Sequence, residues 1–310
     1  MNDSSFGRGV AYAALAFFLW GILPLYWKLL VAIEPLHILA FRIIFSLALV
    51  GMILAMQKNA AWLLVFKDIK NGGMMILAAI VLSANWGIYI WAVNSGHTIE
   101  ASLGYYINPL VSIILGLIFF REKLKPLQWA AFGLAVMGVA VLTIMSGTLP
   151  WISLVLALTF GAYGLLKKKN TLSALESLGA ETFAVLPLGI FLLLFNFPSN
   201  QSGGLHITPG WQGLSYLTEL PLHTVLIALL CGAATTLPLY FFAKGAKILP
   251  LSTVGFIQFL GPTIQFFLGY FLFREYFPPR YFIAFAFIWS AVILYIISLK
   301  TDYRGGTKNV

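Results

Sequence analysis

Between Gly9 and Leu30 the chain passes through twenty-two residues with a single charged side chain, Lys28, and runs of this kind recur along its whole length. A backbone in hydrocarbon must satisfy its own N–H and C=O groups, which only helices and closed barrels can do. A helix needs roughly 20 apolar residues to cross about 30 Å of hydrocarbon, whereas a barrel strand alternates over about 10 residues. These runs have the longer length and are continuously apolar, so helices are expected. Only 9% of the 310 residues are charged and 60% are hydrophobic, against about a quarter charged in a soluble domain. The fold class read from this is all-α: a polytopic membrane protein with spans near residues 9–30, 36–56, 73–94, 101–120, 127–146, 149–166, 178–197, 222–245, 252–273 and 280–299. The first run lacks a short core followed by a small-residue cleavage site and reads as a retained span.

The charges report topology. With the N-terminus inside, fifteen Lys and Arg fall on the cytoplasmic side, among them Lys58, Lys67, Arg121, Lys167, Lys168, Lys169 and Lys247, while only Lys28, Arg274 and Arg280 fall outside and Arg42 lies within a span. That asymmetry places both termini in the cytoplasm. The net charge of +9 therefore carries no implication of a nucleic-acid partner. The one long join, residues 197–221, has neither Lys nor Arg and belongs outside.

The chain repeats itself. At an offset of 153, Pro109, Gly116, Phe120, Arg121, Glu122 and Pro126 meet Pro262, Gly269, Phe273, Arg274, Glu275 and Pro279. Upstream the offset becomes 151, with "YIWA" at 89–92 meeting "YFFA" at 240–243, and Gly21, Leu25 and Lys28 meet Gly161, Leu165 and Lys168 at an offset of 140. Each half, 1–147 and 148–310, then holds five spans. Five is odd, so the second copy enters from the opposite side, giving ten transmembrane helices as two inverted five-helix repeats. Inverted repeats are a transporter architecture.

Polar residues inside the spans mark the candidate site. Tyr105, Asn108, Pro109 and Ser112 follow a helical i, i+3, i+4, i+7 face, and their counterparts are Gln258, Gly261, Pro262 and Gln265. A mid-span proline frees a carbonyl, which only protein or water can satisfy, so Pro109 and Pro262 are candidate kinks or hinges. The stripe reads either as a cavity wall or as helix-to-helix glue. Arg42 is the costliest residue, at about 2.5–3.5 kcal/mol for arginine at a helix centre. It is expected to face inward, as an anion or carbonyl contact or paired with a carboxylate, for which Glu181 is the named candidate; snorkelling to the surface is the alternative. Asn85 adds a hydrogen-bonding group, and Trp20, Trp86 and Tyr89 add flat walls.

No phosphate-binding loop, HExxH, metal-spaced His/Cys cluster or Ser-His-Asp arrangement is present, so no ATP use, cofactor, metal or catalytic residue is expected. His37, His97, His206 and His223 fall at outer ends or loops and read as solvated tips, Cys231 as a small buried hydrophobe, and no carboxylate is placed mid-membrane. "WGILPLYWK" at 20–28, "NWGIYIWAVN" at 85–94, "EASLGYYINPLVSIILGLIFFREK" at 100–123 and "STVGFIQFLGPTIQFFL" at 252–268 resemble the RarD subgroup of the EamA family, in the drug/metabolite transporter superfamily. The resemblance runs from about residue 8 to 299. It implies ten helices in two inverted repeats, residence in a bacterial inner membrane, export of small molecules, and a family association with chloramphenicol sensitivity. The expected function is secondary transport or facilitated export of a small amphipathic or anionic metabolite, or a drug, by alternating access, the alternative being a non-transporting membrane enzyme or assembly subunit. The expected partners are a small-molecule substrate and membrane lipid, with the chain a monomer or weak homodimer.

Overall fold

The computed structural model describes residues 3–94, 97–147, 151–196, 208–209, 218, 220–274, 279 and 281–306. Most of the join from 197 to 221 lies outside the described residues, as do Glu275, Arg280, His206 and Lys308. The helices in chain order are α1 (Asp3–Lys28), α2 (Pro35–Met56), a short α3 (Ala61–Leu64) running into a 3-10 turn, α4 (Ile69–Asn94), α5 (Thr98–Phe119), α6 (Pro126–Ser146) and α7 (Trp151–Lys169). There follow α8 (Ala174–Ala184), α9 (Leu186–Leu194), α10 (Leu222–Leu229), α11 (Cys231–Ile248), α12 (Leu251–Gln258), α13 (Leu260–Phe267), which continues as a π-helical turn, and α14 (Tyr281–Gly306). Strands β1 (Phe195–Asn196) and β2 (Thr208–Pro209) form a two-residue antiparallel bridge. Among the described residues, nine spans are long and apolar enough to cross a membrane, and the α8–α9 pair, bent by 43°, makes ten.

Local chemistry accounts for most element ends. Pro35 and Pro126 start α2 and α6 at positions where a missing N–H costs nothing. Gly147, at φ 68°, closes α6 with a left-handed turn. Ser173 and Glu176 cap α8 reciprocally: Glu176 N–H donates to Ser173 Oγ at 3.3 Å, and Ser173 N–H to Glu176 Oε2 at 2.7 Å. Pro187, just inside α9, cannot donate to the preceding turn and accounts for the bend at Val185. Arg121 and Arg274, paired by the sequence repeat, both hold positive φ, 51° and 54°. The turn at Arg121 carries Glu122 to the start of α12, where its carboxylate accepts Leu251 N–H at 2.6 Å and Ser252 N–H at 2.8 Å. A carboxylate at a helix N-terminus satisfies orphan donors and complements the macrodipole.

Packing is pairwise. The principal partnerships are α1 with α11 and with α12–α13, α5 with α7 and with α12, α4 with α7 and α8, α2 with α8–α9 and with α11, and α6 with α14. With the broken helices counted as single spans, this set maps onto itself when each of the first five spans trades places with the span five further on. Two glycines set the close crossings around the centre. A Cβ on Gly232 would lie 2.4 Å from the Phe45 carbonyl, so α11 meets α2 backbone to backbone. One on Gly255 would lie 2.7 Å from Pro109 O, where α12 crosses α5. The outside is apolar: Met52, Ile118, Leu158 and Ile293 are exposed, a surface suited to lipid. The protein is a polytopic all-α membrane protein.

Candidate functional site

Helices of both halves line a central cavity of about 170 Å³. Trp20, Arg42, Asn85, Trp86, Tyr89, Tyr105, Asn108 and Gln258 all line it, together with Pro262, whereas Pro109 lies on α5 outside the lining. The sequence thus identifies eight residues that the fold brings to one place. It leaves out Phe17, Trp27 and Phe160, which also line it. Phe160 was findable, since the offset of 140 that pairs Gly21 with Gly161 also pairs Trp20 with Phe160, and the two rings meet edge to face at 5.5 Å.

Arg42 projects from α2 toward α4 and α11. Its Nε donates to Thr235 Oγ1 at 3.1 Å. Its guanidinium lies over the Trp86 ring, 3.9 Å from the centroid, and 5.2 Å from that of Trp27. Such stacking contributes about 0.5–2 kcal/mol per pair. No carboxylate among the described residues lies within ion-pairing distance of it. The Arg42–Glu181 pairing considered from the sequence is therefore not formed. Glu181 instead accepts from Lys167 Nζ at 2.7 Å, from Ser177 Oγ at 2.8 Å and from Tyr163 OH at 3.1 Å.

This pairing corrects two further expectations. Lys167 is not a loop charge but a buried residue of α7, with no exposed surface, and it also donates to Ser177 Oγ. Glu181 is a carboxylate buried inside a span, at 3% exposure. His37 is likewise buried at the start of α2 rather than a solvated tip. Cys231 is buried as expected and accepts from Tyr26 OH at 3.3 Å.

The polar stripe serves packing and lining together. Asn85 Nδ2 donates to Leu156 O and to Thr159 Oγ1, both at 2.8 Å, which ties α4 to α7. Ser112 donates to Gln258 Oε1 at 3.0 Å across the α5–α12 crossing, and Tyr106 OH donates to Pro262 O at 3.1 Å. Pro24 leaves the Trp20 carbonyl without its helical donor, and Gln265 Nε2 supplies one at 3.2 Å. Asn108 Oδ1 is buried and has no partner among the described residues. The Tyr89 and Tyr105 rings meet edge to face at 5.6 Å.

Next to the cavity, toward the lysine-rich face, lies a cluster of aromatic rings. Phe242 packs against Phe17, Trp20, Phe160 and Tyr163 with centroids 5.5–6.0 Å apart. The Tyr163 hydroxyl then leads to the Lys167–Glu181 pair. Beyond it, Lys168 lies 4.0 Å from Glu122 and donates to Leu249 O, and Lys247 donates to Leu172 O. Among the described residues no three His, Cys, Asp or Glu side chains converge on a metal position.

Comparison with known proteins agrees with this architecture. Residues 7–144 match the EamA-like transporter family. The chain is 41% identical over 304 residues to the transporter YojE of Bacillus subtilis, covering 96% of each chain. It is 42% identical over 300 residues to protein RarD of Streptomyces exfoliatus, covering 96% of this chain and 90% of that one. A crystal structure of a protein 16% identical in sequence superposes with a TM-score of 0.67 over 92% of this chain and 96% of that one, which speaks to the fold alone. Alignment at this identity over nearly the full length, on a fold of this kind, makes the chain a member of the EamA family of transporters, in its RarD subgroup.

Proposed function

We propose that the protein is a secondary transporter or facilitator that exports a small metabolite or drug across a bacterial inner membrane by alternating access. The observation that carries this reading is the central cavity, which draws Trp20, Arg42, Asn85 and Tyr105 from the first five spans and Phe160, Gln258 and Pro262 from the last five. A site shared between two similar halves opens to either face when the halves rock against each other. Residues 1–147 and 148–310 act as two inverted repeats in this mechanism. The self-mapping helix partnerships and the matched positive φ of Arg121 and Arg274 support that division. Both termini lie in the cytoplasm, on the face that carries most of the lysines.

Within the site Arg42 orients the cargo. Asn108, Tyr105 and Gln258 offer hydrogen bonds, and Trp20, Trp86 and Tyr89 wall it. Pro109, at the α5–α12 crossing, and Pro262, in α13, are the hinges. The aromatic cluster of Phe17, Trp20, Phe160 and Phe242 is the inner gate, which parts during export. The test is flux. Purified protein in proteoliposomes loaded with a broad metabolite panel is expected to release a subset of it, and bacteria lacking the protein are expected to release less of the same compounds. No protein-dependent release of any compound sinks the proposal.

A further inference from the structure

We infer that the cargo is a small organic monoanion: a carboxylate head on a flat apolar body of about one ring. The inference rests on the transport reading and deepens it. Among the described residues, Arg42 is the one charged side chain lining the cavity. An arginine costs several kcal/mol in a membrane interior unless something compensates it. The carboxylate that the sequence offers as its partner, Glu181, is already engaged by Lys167, Ser177 and Tyr163. The positive charge of the cavity is thus left without a fixed counter-charge.

The geometry also fixes how an anion would meet it. Among the described residues, Thr235 is the hydrogen-bond partner of the guanidinium, through Nε, and the Trp86 face holds its plane. The two terminal nitrogens remain as a forked donor of the shape that a carboxylate takes bidentately. One cation balances one negative charge, so a dianionic phosphate would leave a charge uncompensated in a site walled largely by aromatic rings. A cationic cargo would meet Arg42 with no carboxylate to offset it. Trp20, Trp86, Tyr89 and Tyr105 offer faces and edges to a planar body. The volume, about 170 Å³, compares with the ~150 Å³ of an engineered cavity that holds benzene. Asn108 Oδ1, buried and without a partner, calls for one N–H or O–H donor on that body.

Benzoate, benzamide, benzamidine and phenyl phosphate share a ring and differ in charge. Titrating each into the purified full chain at pH 7, with tryptophan fluorescence as the readout, isolates the head group. Benzoate is expected to bind at least about ten-fold tighter than the other three, in line with a hydrogen-bonded charge pair. Arg42→Gln is expected to bring benzoate and benzamide within about two-fold, while Arg42→Lys keeps part of the preference. If Arg42→Gln does not fold, Thr235→Val releases Nε and is expected to weaken benzoate several-fold with benzamide unchanged. Equal affinity for the neutral or cationic probe, tighter binding of phenyl phosphate, a benzoate preference that survives Arg42→Gln, or no binding by any probe overturns the inference. Release of metabolites from proteoliposomes regardless of their charge and of Arg42 overturns the anion class and leaves the transporter standing. Arg42-dependent binding of benzoate by a protein that moves nothing supports the site and overturns transport.

Discussion

Lys167, Lys168 and Lys169 look alike in a count of charges, yet successive residues on a helix point about 100° apart. Lys168 and Lys169 point toward the lysine-rich face, while Lys167 turns in beneath Tyr163 to meet Glu181. A buried ion pair is weak evidence for stability, but removing one partner leaves a bare charge and costs about 3–5 kcal/mol. Glu181→Leu is therefore expected to lower the melting temperature of the purified protein sharply. The double change Lys167→Met with Glu181→Leu is expected to recover most of that loss, because neither charge is then left alone. A double variant no more stable than Glu181→Leu refutes the pairing as the source of the effect. The same phase problem explains what the sequence hid at this scale. Glu181 was readable as a candidate partner for a cation, but choosing Lys167 over Arg42 required knowing that α7 stays helical through Lys169.

Helices are where the sequence was most legible, since an apolar run of about 20 residues leaves the backbone one way to satisfy itself. The expected spans match the observed helices to within a few residues at most ends. The interruptions were harder. Pro187 and Pro262 account for the breaks at Val185 and Phe259, but the one at Leu230 has no proline beside it, and the four-residue α3 ahead of α4 is too short to give a span signal. The crossing of α2 and α11 is invisible in sequence as well, because Gly232 is one of 28 glycines and only the approach of Phe45 gives it meaning. Gly232→Ala is expected to force the two helices apart, at about 1–3 kcal/mol for overpacking, and to disturb the Arg42–Thr235 contact one turn away. Gly133→Ala, where a Cβ meets nothing within 4 Å, is the control and should gain up to about 1 kcal/mol in helix propensity. Thermal unfolding and benzoate titration of the two variants separate the cases. Equal stability in both refutes the close-approach account.

At the scale of the whole molecule, the candidate site was legible because two copies of one motif face each other: a polar stripe with a proline in one half gained meaning from its echo in the other. The aromatic cluster around Phe242 was not, since phenylalanines in an apolar chain carry no mark of depth. Sidedness follows from the same count of basic residues that set the number of spans, and it has a direct test. Cys231 is the only cysteine and is buried, so Cys231→Ser gives a background for single exposed thiols, with a hydroxyl still available to Tyr26. Val31 and Leu222, at 87% and 73% exposure, cap the ends opposite the lysine-rich face, while Lys67 and Lys169 are exposed on it. With both termini inside, a membrane-impermeant maleimide added to intact cells is expected to label Val31→Cys and Leu222→Cys, and to reach Lys67→Cys and Lys169→Cys only after the membrane is opened. The reverse pattern overturns the orientation while keeping the span count. Labelling of Val31→Cys and Lys67→Cys from the same side means that α2 does not cross, and overturns the proposed inverted repeat, which needs five spans in each half.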